Sequence, residues 1–388
     1  MNYDFDRVID RRGTNSAKWD VPAGQLPMWV ADMDFAAAPE IIAALRARLD
    51  HGVLGYSEVS PRWRRAVADW WYHRHDWAVQ PDWLTFCVGV VPALSSLTRT
   101  LTEPGSKVVI QAPVYHLFKN CVRNSGRVPV SNDLVYRQGG YQIDWKDLAV
   151  KLADPDTHLM FLCNPQNPTG NVWSAEQLAR LGQLAAANDV VVVADEIHCD
   201  LTMPGVSYTP FASVNQVNAD IAVTLVAPTK AFNIAGVQSA AVITANPALR
   251  ATVEAGLTRD ELTEPNAFAI EATVAAFTQG KAWLDQCRVY IRRNKERLES
   301  FIAAELPELT VVPSQAMYLL WIDCARLTKD TTELCDFLRQ TTGLYVNPGG
   351  MYGKKAKRFI RINIGCPART LEDGLTRLKT GVQAWQAR

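Results

Sequence analysis

The chain has 388 residues, which at roughly 100–200 residues per domain allows two or three domains. Lysine and arginine together number 40 and acidic residues 40, so the formal net charge is 40 − 40 = 0. Without excess positive charge the chain has no general field for a nucleic-acid backbone or an anionic membrane, and we expect neither as a partner. The composition, 48% hydrophobic and 21% charged, indicates a globular protein with a large core.

The termini and the cysteines indicate where the protein works. No stretch reaches the roughly 18 consecutive apolar residues that a membrane helix requires. The first six residues, MNYDFD, are acidic and precede no apolar run, so no secretory signal is expected. Eight cysteines are scattered without a C-x-x-C or metal-type spacing, which favours free thiols in a reducing compartment. These features predict a cytoplasmic enzyme.

From residue 84 the chain alternates short apolar runs with helical stretches. After Gly89 a helix is expected from Pro92 to about residue 102, and a capping box of Ser174 and Gln177 opens another over 175–187. Strands are expected over residues 84–88, 107–111, 158–163, 190–194, 223–226 and 239–244. Continuous apolar strands alternating with helices indicate an α/β fold whose mostly parallel sheet is covered on both faces.

The pattern changes beyond residue 268. A long helical stretch over 270–301, broken near Gly280, precedes strand-like runs and a terminal helix from about Thr370. We therefore expect three parts. Residues 1–39 form an N-terminal segment that packs on the small domain, 40–280 a large α/β domain, and 281–388 a smaller α+β domain.

Ligands of an open α/β sheet lie beyond the carboxyl ends of its strands, and four sequence features stand there. The first is the turn 89–92 (GVVP), where free N–H groups and the helix dipole can hold a phosphate, although most such turns bind nothing. The second is the loop 164–170 (NPQNPTG). Its prolines and glycine either aim an amide side chain or form a plain tight turn.

The third and fourth features are charged residues in apolar surroundings. Asp195 ends the run 190–194 and needs a cationic partner, either a cofactor's protonated ring nitrogen or a structural salt bridge or cap. Metal binding by Asp195, His198 and Asp200 is a further alternative, which no second ligand cluster supports. Lys230 follows a strand among small apolar residues, where lost hydration would lower its pKa and favour Schiff-base chemistry. An ordinary lysine with its head in solvent is the other interpretation.

The order of these features resembles the fold-type I pyridoxal 5′-phosphate (PLP) enzymes, the aspartate aminotransferase superfamily. Within it the chain is most similar to the MalY/PatB-type cystathionine β-lyase branch, also called cysteine C–S lyases. The resemblance covers essentially the whole chain and implies the fold-type I architecture, a large PLP-binding domain and a smaller C-terminal one. It rests on residues 29–35 (WVADMDF), 55–56 (GY), 164–170, 195–198 (DEIH), 229–233 (TKAFN) and 361–367 (RINIGCP).

The resemblance implies roles for individual residues. Lys230 matches the lysine that holds PLP as a Schiff base. Asp195 matches the partner of the pyridinium nitrogen, which keeps the ring able to accept electrons. Asn167 matches the partner of the phenolic oxygen, and Tyr115 the aromatic residue that stacks on the ring. Arg361 matches the arginine that binds the substrate α-carboxylate with two parallel hydrogen bonds.

Further matches concern the phosphate. Val90 and Val91 would donate backbone N–H groups to it, and Thr229 a hydroxyl. Tyr56 matches a tyrosine that reaches the phosphate from the neighbouring subunit. The resemblance therefore implies a homodimer with shared active sites.

Three positions depart from the pattern of many aminotransferases. Gln238 replaces an arginine eight residues after the Schiff-base lysine, and Ala227 replaces a serine three residues before it. Both substitutions fit the C–S lyase branch. His198 stands where many relatives have a tyrosine near the phenolic oxygen, and we retain it as a cofactor-binding candidate.

The implied reaction is α,β-elimination from L-cystathionine or a related S-substituted L-cysteine, which yields a thiol, pyruvate and ammonia. Lys230 would remove the α-proton as a neutral amine, so activity should rise toward alkaline pH. The alternatives are a PLP-dependent aminotransferase, which shares the early steps, and a PLP-binding regulatory protein with incidental lyase activity. An NAD-dependent dehydrogenase is not favoured, because no G-x-G-x-x-G follows the first strand.

Overall fold

The computed structural model describes residues 3–137 and 140–388. The described helices are α1 (Pro39–Asp50), α2 (Pro61–His75), α3 (Val90–Leu101), α4 (His116–Asn124), α5 (Trp145–Leu152), α6 (Ala175–Ala186), α7 (Gln216–Ile221), α8 (Pro228–Ala231), α9 (Pro247–Arg259), α10 (Ala269–Gln279), α11 (Lys281–Glu305), α12 (Thr332–Thr342) and α13 (Ala368–Gln386). The described strands are β1 (Leu26–Pro27), β2 (Leu84–Cys87), β3 (Lys107–Ile110), β4 (Val128–Ser131), β5 (Val135–Arg137), β6 (Gly140–Gln142), β7 (Thr157–Cys163), β8 (Val191–Asp195), β9 (Ala222–Val226), β10 (Ala240–Ile243), β11 (Thr310–Val311), β12 (Leu319–Asp323), β13 (Leu344–Tyr345), β14 (Asn347–Pro348) and β15 (Phe359–Asn363).

The central sheet has the strand order β2-β10-β9-β8-β7-β3-β4. Strands β9, β8, β7, β3 and β4 run parallel, and β10 runs antiparallel to both of its neighbours. Successive residues of β7 point to opposite faces of the sheet and belong to different core clusters, Phe161 to one and Leu162 to the other. Both faces of the sheet are therefore covered, which confirms the α/β fold with a mostly parallel sheet.

A smaller antiparallel sheet follows, with the order β11-β12-β15-β14. In it Trp321 of β12 pairs with Arg361 of β15. The N-terminal strand β1 pairs in parallel with β13, so the N-terminal segment contacts the C-terminal part of the chain. The domain limits at residues 39 and 280 stay a prediction, and residues 1 and 2 of the first part lie outside the described chain.

Local sequence signals place most element ends. The capping box of Ser174 and Gln177 is present, and the break at Gly280 separates α10 from α11. Helix α3, however, begins at Val90 rather than at Pro92. A proline is tolerated in the first turn because the N–H groups there have no partner within the helix, so Pro92 does not mark the first helical residue.

Two further expectations concern environment. No helix in the described parts of the chain is long and apolar enough to cross a membrane. All eight cysteines are free and buried, as expected for thiols without metal-type spacing.

The loop 164–170 packs closely against the segment before β12. Gly170 has a φ of +75°, and a Cβ added to it would lie 2.4 Å from Cβ of Ser314. Its carbonyl also accepts a 2.8 Å hydrogen bond from the backbone N–H of Gln315. Only glycine satisfies both the positive φ and the close approach.

We predict that Gly170→Ala lowers the free energy of unfolding by about 2–4 kcal/mol, because a left-handed backbone cost adds to a steric overlap. Gly205→Ala is the matched control. Its φ is +89° and an added Cβ meets nothing within 4 Å, so only the backbone cost applies. Urea denaturation followed by tryptophan fluorescence measures both losses, and equal losses would contradict the packing argument.

Candidate active site

The carboxyl edge of the central sheet gathers most of the candidate residues. Asp195 ends β8, and Asn167 lies in the loop that follows β7. Lys230 lies in α8 after β9, and Tyr115 lies just before α4 after β3. Because parallel strands end at the same edge, residues far apart in sequence meet there.

Lys230 is held by a backbone carbonyl. Its Nζ donates a 2.7 Å hydrogen bond to the carbonyl oxygen of Ala31. Loss of hydration lowers the pKa of the amine, and the charge of Arg361 adds to this, whereas Asp32 and Asp195 oppose it. The amine is therefore shifted toward the neutral, nucleophilic form, as its apolar sequence surroundings predict.

Asp195 is a buried carboxylate without a cation bound to it. It is 6% exposed, and its Oδ1 accepts a 3.1 Å hydrogen bond from the N–H of Ile197. It forms no ion pair with any residue in 3–137 or 140–388. Burial raises its pKa to about 7, although the N–H of Ile197 and the charge of Lys230 act against the shift. A protonated ring nitrogen would supply the missing charge.

Arg361 comes from the small sheet and meets the central one. Its Nη1 donates to Oδ1 of Asn167 at 3.2 Å, and its Nη2 donates to the carbonyl of Trp29 at 2.6 Å. Its guanidinium carbon lies 5.1 Å from the centroid of the Tyr352 ring. The Nε of Arg361 is buried without a partner. In the described chain no carboxylate pairs with this guanidinium, and one of its donors has no partner, so it can bind an anionic ligand.

His198 and Tyr115 add uncharged polar groups. His198 is buried and its Nδ1 has no hydrogen-bond partner in the described chain. Burial, with the charges of Lys230 and Arg361, lowers the pKa of His198 to about 3, so the imidazole is neutral. Tyr115 is half-buried, and burial raises the pKa of its phenol. A buried nitrogen without a partner indicates that a ligand completes the site.

The proposed phosphate residues lie at two helix starts. Val90 and Val91 open α3, whose first N–H groups have no partner within the helix. Thr229 is buried in α8, next to Lys230. Ala227, the residue before α8, provides no side-chain cap, so this position adds no hydroxyl.

Tyr56 is the one candidate that the structure does not bring to the others. Its side chain is fully exposed and lies in the segment 51–60, which contains no helix or strand. In the described part of the chain it makes no side-chain hydrogen bond. Gln238 lies apart from the site as well and lines an open apolar groove with Leu54.

The metal alternative is not supported by the arrangement of side chains. Asp200 turns away from the site and binds Arg74 and His75, each at 2.9 Å. Within the described residues, the only three potential ligands close enough together are His75, Cys199 and Asp200, a group that excludes Asp195 and His198. The only carboxylate of this group, Asp200, is already paired with the guanidinium of Arg74.

Comparison with known proteins identifies the family. Residues 25–378 match the family model "Aminotransferase class I and II". The chain belongs to this family.

Several similar proteins are named as lyases or contain PLP. Cystathionine beta-lyase PatB of Bacillus subtilis is 43% identical over 97% of this chain and 99% of its own. The structure of cystalysin from Treponema denticola, which contains a PLP cofactor, superposes with a TM-score of 0.95 at 32% identity over 99% of this chain and 100% of that one. The PLP-bound C–S lyase from Staphylococcus hominis does so with a TM-score of 0.92, 32% identity and 98% coverage of both chains.

The residues present fit the cofactor of such family members. Asp195 has no cationic partner in the described chain, and a pyridinium would be one. The pKa of the Lys230 amine is lowered, which favours the neutral form that a Schiff base needs. His198 has a free ring nitrogen, and the first turn of α3 has free N–H groups. Each unsatisfied group thus has a counterpart on PLP.

Sequence reasoning missed the polar partners of the segment 29–35. Asn363 donates from Nδ2 to the carbonyls of Val30 and Asp32 at 2.5 and 2.7 Å, and the hydroxyl of Tyr318 donates to the carbonyl of Ala31 at 3.0 Å. Asn363 could have been found, because it lies two residues beyond Arg361 in a strand and shares its face. Tyr318 carried no local signal.

We predict that Asp195→Asn stabilises the PLP-free protein more at alkaline than at acid pH. The pKa of Asp195, about 7 when folded and 3.8 ordinarily, means that the folded state binds more protons between these values, so stability falls as pH rises from about 4 to about 7. The amide mimics the protonated carboxyl and does not ionise, so the gain in thermal midpoint should be larger at about pH 8 than at about pH 5.

Thermal melts of the PLP-free wild type and variant at the two pH values test this. Asp69→Asn, at an exposed position of α2, is the control and should change neither melt. The same gain at both pH values would show that burial of a charged carboxylate is not the cause.

Proposed function

We propose that this protein is a PLP-dependent carbon–sulfur lyase that cleaves L-cystathionine or a related S-substituted L-cysteine to a thiol, pyruvate and ammonia. One observation carries the proposal. A lysine amine of lowered pKa, a buried carboxylate without a cation and an arginine with a free donor meet at one sheet edge. The names of PatB and of the C–S lyase from Staphylococcus hominis support the reaction type.

In this proposal the residues of the site hold each part of PLP: its aldehyde carbon, ring, phenolic oxygen and phosphate. Lys230 links to it, Asp195 pairs with its ring nitrogen, and Tyr115 stacks on its ring. Its phenolic oxygen is bound by Asn167, with the neutral His198 close by. Its phosphate is bound by the N–H groups of Val90 and Val91 and by the hydroxyl of Thr229. When bound, PLP draws electrons from the substrate α-carbon and lets negative charge develop there.

The chain's own residues then position the substrate and move the proton. Arg361 would bind the α-carboxylate and so hold the α-carbon near Lys230. Once the substrate amine has released it from the cofactor, neutral Nζ of Lys230 would take the α-proton, and the Cβ–S bond would break with its electron pair on sulfur. Nζ can return the proton to the departing thiolate. The lowered pKa of Lys230 keeps a larger fraction of the amine neutral, so activity should rise with pH through that pKa.

We predict that Lys230→Ala abolishes both the cofactor band and the reaction. The wild type should absorb near about 420 nm and release pyruvate from L-cystathionine, while the variant should lose the band and at least about a thousandfold in rate. Lys281→Ala is the matched control, since Lys281 is exposed and within the described residues pairs only with Asp285, at 3.0 Å.

Other outcomes identify the alternatives. A yellow wild type that forms no pyruvate, but converts amino acids when a keto acid is supplied, would be an aminotransferase. Turnover too slow for metabolism, together with a stable protein partner, would favour a regulatory protein. A variant that keeps the absorption band would contradict the role of Lys230.

We further propose a homodimer with shared active sites, in a cytoplasmic location. Tyr56 is fully exposed, and Leu49, Val53 and Leu54 beside it are also more than half exposed. Leu49 and Leu54 line a groove of about 630 Å³ together with Phe268. A cluster of exposed apolar side chains beside a groove is typical of an interface. The buried free cysteines support a reducing compartment, which cell fractionation tests.

We predict that Tyr56→Ala weakens PLP binding about tenfold and that mixing it with Lys230→Ala restores activity. If Tyr56 serves the partner's site, one site of each mixed dimer has both residues intact, which amounts to roughly a quarter of all sites. Pyruvate release after unfolding and refolding the mixture measures this. Each variant refolded alone is the control, and a mixture no more active than their mean would contradict shared sites.

A further inference from the structure

A cavity of about 350 Å³ adjoins the candidate site. It opens beyond the carboxyl ends of β3 and β4, where Ile110 and Ser131 line it. Tyr115 and Tyr352 form its wall on the side of the site. Tyr352 also packs under Arg361, with 5.1 Å between the guanidinium carbon and the ring centroid. The cavity therefore begins beside the position of the substrate α-carboxylate.

Three cations line this cavity without partners. Lys119 and Arg123 come from α4, and Lys354 comes from the segment before β15. In the described chain none of the three forms an ion pair or a side-chain hydrogen bond. The single lining carboxylate, Asp133, is already bound by Nζ of Lys355 at 3.2 Å and by Oγ of Ser131 at 2.5 Å. The wall of the cavity thus carries an uncompensated positive charge.

His116 adds a polar atom that lacks a partner. It opens α4 and lines the cavity, and its Nδ1 is buried without a hydrogen bond. An unsatisfied buried nitrogen costs free energy that a bound polar ligand would recover. Together with the three cations it describes a cavity suited to an anion of moderate size.

We propose that this cationic cavity, lined by His116, Lys119, Arg123 and Lys354, binds the leaving-group half of the substrate and selects S-substituted cysteines whose leaving thiol carries a carboxylate. The inference rests on the proposed function, which places the cysteine half at Arg361 and Lys230. L-cystathionine carries such a carboxylate beyond its sulfur together with an ammonium, whereas S-(2-carboxyethyl)-L-cysteine carries the carboxylate alone. A neutral S-alkyl group gains nothing from the cations, so the cavity discriminates by charge.

The double variant Lys119→Gln/Lys354→Gln tests the proposal in the PLP-loaded protein. Rapid-mixing absorbance of the cofactor gives the Kd of S-(2-carboxyethyl)-L-cysteine and of S-ethyl-L-cysteine, and pyruvate release gives KM. We expect the Kd and KM for S-(2-carboxyethyl)-L-cysteine to rise about five- to tenfold, and those for S-ethyl-L-cysteine to change less than about twofold. Lys357→Gln is the control, because Lys357 is exposed, pairs with Asp330 at 2.9 Å and does not line the cavity.

Equal weakening of both amino acids, or no weakening of S-(2-carboxyethyl)-L-cysteine, would overturn the proposal. Added salt should weaken the binding of S-(2-carboxyethyl)-L-cysteine to the wild type more than to the double variant, because salt screens the charges that the variant lacks. Selective weakening of binding without pyruvate from either amino acid would refute the lyase function while supporting the subsite.

Discussion

The site depends on one constraint, that the buried backbone carbonyls of residues 29–33 must be hydrogen-bonded. The carbonyl of Ala31 accepts from Lys230, and that of Trp29 accepts from Arg361. Asn363 binds the two carbonyls at Val30 and Asp32. One extended segment thereby joins the central sheet to the small sheet. Because a neutral carbonyl rather than a carboxylate binds Arg361, the positive charge of Arg361 stays available to an anionic ligand.

The same segment carries two carboxylates that would otherwise neutralise the site. Arg11 binds Asp32 at 2.6 Å and Asp34 at 2.7 Å, and Lys18, only 1% exposed, binds Asp34 at 2.8 Å. These pairs direct the charge of Asp32 and Asp34 toward the N-terminal residues. Asp195 is left as a buried carboxylate without an ion pair in the described chain, and it raises the pKa of the Lys230 amine together with Asp32. Asp32 and Asp34 are paired with cations, whereas Asp195 is not. A cationic cofactor ring is therefore favourable beside Asp195 at this edge of the sheet.

The fold and much of the site could be predicted from local patterns. Continuous apolar runs identified β7, β8 and β9, and with them the positions of Asn167, Asp195 and Lys230 at or just after strand ends. The contact of Arg361 with Asn167 could not be predicted in this way, since 194 residues separate the two. The resemblance named Arg361, but neither motif nor spacing indicated Tyr352 beneath it. For the roles of the matched residues the resemblance remains the source of the hypothesis.

The sequence by itself determined the elements, their alternation and the residues that stand at strand ends, because periodicity, caps and turn residues act over a few positions. Only the tertiary structure decided which of these residues lose water and which charges they face. It raised the pKa of Asp195, left Nδ1 of His198 without a partner and gathered Lys119 and Lys354 around one cavity. Burial and electrostatic environment are sums over segments distant in the chain, so no local pattern contains them.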